Sequence, residues 1–110
     1  MRVEVLGASY EILDNQTTED APDLQKRCGL CEPYGRRILL RKLNPDADTP
    51  ENLARYKRET LRHELVHAFL FESGLGACSD WAENEEIVDW IAIQFPKLAK
   101  TFAAAGCAVE

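Results

Sequence analysis

The sequence predicts an α+β fold: a small N-terminal, mostly antiparallel sheet of three or four strands, packed on a long helix and a second, C-terminal helix. Three observations carry this. Short β-branched and aromatic stretches fill roughly the first 40 residues, a well-capped helical segment follows, and near the end apolar residues recur at steps of three and four. At 110 residues and 45% hydrophobic composition, the expectation is a single domain over 1–110 that buries about two thirds of its unfolded surface.

In order, Val3 to Leu6 and Tyr10 to Leu13 read as two short strands, or one with a bulge, split by Gly7-Ala8-Ser9. Asp14 to Asp23 reads as a polar loop. Cys28 to Cys31 and Arg37 to Arg41 read as a hairpin turning at Glu32-Pro33-Tyr34-Gly35. Thr49 followed by Pro50 is a helix start, with threonine as N-cap and proline in the first turn. That helix should run to about Ser73, where Gly74 supplies the left-handed residue that ends helices. Gly74 to Ala82 reads as a loop. Val88, Ile91, Phe95, Leu98 and Phe102 then mark an amphipathic helix beginning near Ala82 or Glu83 and ending at Gly106, with its apolar stripe in the core and a kink or restart at Pro96.

Lysine and arginine number 13 against 19 acidic residues, a net charge of -6. Such a balance argues against a nucleic-acid partner, which calls for a basic face. The densest basic cluster, Arg36-Arg37 with Arg41-Lys42, reads as a solvated strand edge. Neither a signal-peptide core nor an apolar run of bilayer-spanning length is visible, so the expectation is a cytoplasmic protein with no membrane partner and four reduced cysteines.

The chemistry is concentrated in His63-Glu64-Leu65-Val66-His67, which holds both histidines of the chain. In a helix, residues four apart share a face, so the two imidazoles can serve one metal ion. This is the H-E-x-x-H signature expected of zinc hydrolases, with Glu64 beside the metal as general base toward a water. One Zn²⁺ per chain is the expected cofactor. Iron, nickel or cobalt could use the same donors, but an open tetrahedral site favours zinc.

A catalytic zinc needs a third protein ligand, and no histidine remains. The stretch Asn84-Glu85-Glu86-Ile87-Val88-Asp89 opens the next helix and offers carboxylates, with Glu85 and Asp89 four apart on one face. H-E-x-x-H followed by this N-E-x-x-x-D resembles the gluzincins, the thermolysin-like zinc peptidases. The short layout is similar to the ImmA/IrrE-type metallopeptidases, the minigluzincins and small phage or mobile-element H-E-x-x-H proteins, over roughly residues 60 to 96. Ile91 to Pro96 is similar to the corresponding helix of the ImmA/IrrE type. That family usually carries a further glutamate where this chain has Ile87, and many members have a DNA-binding domain that is not seen here.

The resemblance implies peptide-bond hydrolysis of a peptide or protein substrate. It makes Glu85 the third zinc ligand, with Glu86 as the neighbour that could take its place. It also implies that Asp89 accepts a hydrogen bond from His63 and that Asn84 does the same for His67. Glu64 would remove a proton from water and pass it to the leaving amine. Larger gluzincins add a tyrosine and a histidine at the oxyanion, and Tyr34, in the hairpin turn, is the available phenol.

Competing readings use the same residues. Cys28 and Cys31 form a C-x-x-C that, with His63 and His67, could make a structural Cys2His2 zinc site. Its intervening spacing of roughly 30 residues far exceeds that of compact fingers. A zinc-bearing regulatory module without turnover is a third reading, as is a latent peptidase whose tail, Ala103 to Glu110, covers its cleft.

Overall fold

The computed structural model describes all 110 residues. Strands β1 (Arg2–Val5) and β2 (Ala8–Gln16) precede β3 (Gly29–Glu32) and β4 (Arg37–Arg41). Helix α1 (Pro50–Glu72), a short α2 (Leu75–Cys78) and α3 (Glu85–Ala104) follow. The expected α+β architecture is present, with both long helices and a four-stranded sheet.

The strand order is β1-β2-β4-β3, so β3 lies at an edge. Its two outer pairings are antiparallel, while β2 and β4 run parallel, with Ile12 opposite Ile38 and Leu13 opposite Leu39. A parallel neighbour requires a crossover rather than a tight turn. Residues 17–28 supply it across the outer face of the sheet. The expected polar loop is therefore partly structured: β2 continues through Gln16, and a 3₁₀ turn at Pro22–Gln25 buries Leu24 against Leu39.

β4 is buried on both faces, which explains its uninterrupted Ile38-Leu39-Leu40. Ile38 and Leu40 join Val5, Ala8, Tyr10 and Ile12 under Ala68 of α1. Fully buried Tyr10 donates its hydroxyl to Glu72 Oε2 at 2.7 Å, and the Arg36 guanidinium meets the other oxygen at 3.4 Å. Burial, with the Glu72 carboxylate beside it, pushes the Tyr10 phenol well above its usual range. The far end of α1 is thereby tied to the sheet.

α1 begins as its sequence dictates. Thr49 Oγ1 accepts from the Asn52 amide at 3.2 Å, and the helix stops before Gly74, whose φ is 85°. The segment expected to be a loop between the helices contains α2 and a 3₁₀ turn at Asp80–Glu83. α3 starts at Glu85, slightly later than expected, because Asn84 caps it, and it continues through Pro96 without a restart.

The apolar stripe of α3 is core only in part. Val88 and the neighbouring Ala92 are buried, but Phe95 and Phe102 are 53% and 47% exposed. α3 packs chiefly on α1 and on the turn before it rather than on the sheet. One helix face cannot cover a stripe that wide. No helix is long and apolar enough to cross a membrane.

Candidate metal centre

α1 lies between β3 and α3, and the space above it is an open cleft of about 1070 Å³. Arg27, Gly29 and Cys31 line one wall; Glu85, Asp89 and Ile93 line the other. His63, Glu64 and His67 form the floor.

His63 and His67 stack edge to face, their ring centroids 4.9 Å apart, and both direct Nε2 at Glu85. Glu85 Oε2 lies 2.9 Å from His63 Nε2, Oε1 lies 3.0 Å from His67 Nε2, and the two nitrogens are 3.2 Å apart. Zinc bonds of about 2.0–2.1 Å arranged tetrahedrally require donors about 3.3 Å apart. The donor types fit zinc, and one atom from each residue lies within 4.8 Å of the others. Cys28 and Cys31 are not part of this group of donors.

His63 Nδ1 lies 2.6 Å from Asp89 Oδ1, and a carboxylate oxygen only accepts, so Nδ1 carries the hydrogen of that bond; in the tautomer it selects for metal binding, Nε2 is the nitrogen available as a ligand. Burial holds the His67 imidazole below its ordinary pKa, against the pull of the Glu85 carboxylate. Neutral imidazole is the form that binds metal.

Glu64 is the one buried charged residue, at 7% exposure. Its Oε1 is 3.9 Å from His63 Nε2. Burial raises its pKa, the His63 ring partly offsets this, and the Glu85 carboxylate adds to it. β3 crosses α1 so closely here that a Cβ on Gly29 would sit 2.7 Å from Thr60 Cγ2 and 3.0 Å from Glu64 Cγ. Any larger residue would force Thr60 and Glu64 to shift, and the absent side chain is the space in which the Glu64 stem lies. Cys31 follows on the same strand, its thiol pushed up to about 12 by burial and by the Glu64 carboxylate.

Some expected roles change. Asn84 makes no hydrogen bond to His67; its Oδ1 accepts from the Glu86 and Ile87 amides at 2.9 and 3.2 Å, capping α3. Satisfying those otherwise orphaned amides fixes the helix start at Glu85. Glu86, on the adjoining face, is exposed and lies outside the cleft. Tyr34 is 94% exposed, rests edge-on against Phe71 at 5.3 Å and is not a cleft residue. None of residues 103–110 lines the cleft.

Other cleft residues carry no motif. Tyr56 shares the helix face of His63 at a spacing of seven residues and donates its hydroxyl to Cys28 Sγ at 2.9 Å. Heptad spacing from His63 was the available signal. Arg27 is a cleft cation whose charge acts on both Glu64 and His67. Nothing near Arg27 in the sequence points to that placement. No protein-family model, curated protein or solved structure matches the chain, so the chemistry is read from these residues alone.

Proposed function

We propose that this protein is a zinc-dependent, gluzincin-like metallopeptidase that binds one Zn²⁺ per chain and hydrolyses peptide bonds. The observation that carries this reading is the approach of His63 Nε2, His67 Nε2 and a Glu85 oxygen to within 4.8 Å of one another, beside the buried carboxylate of Glu64. His63, His67 and Glu85 would hold the ion. When bound, zinc supplies Lewis acidity toward a carbonyl and lowers the pKa of water toward about 7.

The side chains divide the remaining work. Asp89 fixes the His63 tautomer. Glu64 accepts the proton of the attacking water and returns it to the leaving amine; its raised pKa brings it closer to the range in which a carboxyl can do both. Gly29 keeps β3 against the Glu64 stem and thereby restricts where the carboxylate can point.

Extended polypeptide is the substrate class that suits the cleft. β3 is an edge strand bordering the cleft, and an edge strand offers unpaired backbone groups to which a peptide adds by main-chain hydrogen bonds. Four free cysteines suit a reducing, cytoplasmic setting.

The test uses unfolded protein substrates with chelator-treated and zinc-reloaded enzyme. Cleavage should appear only on reloading. Glu64→Gln should reduce turnover by about 10² to 10⁴ while zinc stays bound. Zinc-bound wild type that is inert on a broad peptide panel would instead favour a binding module.

A further inference from the structure

α3 supplies Glu85 and Asp89, yet little apolar burial holds it in place. Val88 and Ala92 are its only buried residues, and the helix beyond Gln94 is largely exposed. With so few fully buried side chains, apolar packing alone does little to select one axial register of α3 on α1 over its neighbours. A register shift of even one residue carries Glu85 about 1.5 Å along the axis, which is a large displacement for a metal ligand.

Pro96 lies inside α3 and has no N–H, so the carbonyl of Ala92, four residues earlier, has no helical partner. Ala92 is buried at 2% exposure, where an unpaired carbonyl would be costly. Arg62 of α1 fills the vacancy: its Nε–H donates to Ala92 O at 2.5 Å. This is the only hydrogen bond of Arg62, and its guanidinium makes no ion pair with a carboxylate despite the acidic composition.

The location of this bond gives it significance. Arg62 directly precedes His63, and Ala92 lies three residues beyond Asp89, which accepts from His63 Nδ1 at 2.6 Å. Two neighbouring residues of α1 thus grip two points, almost one helical turn apart, on α3. Two such points fix both the axial register and the rotation of one helix against the other. The proline therefore has a role beyond interrupting a ladder, since it exposes the acceptor that makes the second grip.

We propose that Arg62 is a positioning residue for the metal centre, and that its bond to the carbonyl released by Pro96 sets the register of α3 and so brings Glu85 between His63 and His67. The inference rests on the zinc reading for its consequence, although the grip itself is a property of the metal-free chain.

Both levels are testable on the full chain. In metal-free, isotope-labelled protein, the Arg62 Nε–H should exchange slowly and show scalar coupling across the hydrogen bond to the Ala92 carbonyl carbon. Nuclear Overhauser contacts between the His63 ring and Val88 or Asp89 should be present in wild type and weakened in Arg62→Met. Zinc affinity, measured by competition with a chromophoric chelator, should fall about tenfold or more in Arg62→Met. Arg62→Lys should recover part of it.

Pro96→Ala separates positioning from general stability. Restoring an N–H at residue 96 gives Ala92 O a helical donor that competes with Arg62, so thermal stability should hold or rise while the Arg62 coupling weakens and zinc affinity falls with it; a strong coupling with unchanged affinity would show that the proline is not what sets this bond. Unchanged ring contacts in a folded Arg62→Met variant, or the absence of the Nε–H coupling in wild type, overturns the proposal whether or not zinc binds. Unchanged zinc affinity in folded Arg62→Met overturns it where wild type binds zinc. Wild type that binds no zinc but shows the coupling, with the register lost only in Arg62→Met, rejects the metallopeptidase reading and leaves the grip standing.

Discussion

The sheet with α1 and the α1–α3 pair are held by different forces, although they share a helix. On the sheet side, Val5, Tyr10, Ile12, Ile38 and Leu40 are buried beneath Ala68 in an apolar contact. On the other side only Val88 and Ala92 are buried. The rest of the joint is polar: Glu85 against the two imidazoles, Asp89 on His63 and Arg62 on Ala92 O. The first region folds by hydrophobic burial and carries His63, Glu64 and His67. The second brings Glu85 to those residues and is in turn held in place by polar contacts there; on the proposed reading, it is the region whose position a bound metal would reinforce.

The largest expected effect tests this division. Ile38→Ala should cost about 2–5 kcal/mol of global stability in denaturant melts, as deletions in a tight core do. Phe102→Ala, removing a larger side chain from the exposed part of α3, should stay within about 0.5 kcal/mol. Equal costs would mean that the α3 stripe is core after all.

A smaller effect belongs to the crossing of β3 over α1. Gly29→Ala should cost about 1–3 kcal/mol, because the new methyl overlaps Thr60 and crowds Glu64. Its sharper consequence is kinetic. Displacing the base but not the ligands should lower turnover while zinc affinity stays near that of wild type, and parallel losses of both would show that Gly29 supports the whole site rather than Glu64.

The two regions were also unequally legible in the sequence. Thr49-Pro50 and Gly74 bracket α1 because capping is local chemistry, and the i, i+4 histidines need nothing but a helix to share a face. The parallel pairing of β2 with β4 was not legible, since a connection of such length permits either a return or a crossover. Periodicity identified the amphipathic face of α3 but not its neighbour, so Phe95 and Phe102 read as core. The resemblance assigns Asn84 to His67, but its local role, capping the helix that follows, is the one the structure shows. Pro96 read as a disruption because the group that uses its freed carbonyl lies some thirty residues away on another helix.

Zinc stoichiometry tests the two-helix centre most directly. Purified protein reloaded with zinc and then dialysed should retain one ion per chain in wild type and in Cys28→Ser/Cys31→Ser, and should lose it in Glu85→Ala. Zinc retained by Glu85→Ala and lost with the cysteines would contradict the account, because the ion would then be held by the strand rather than by α3.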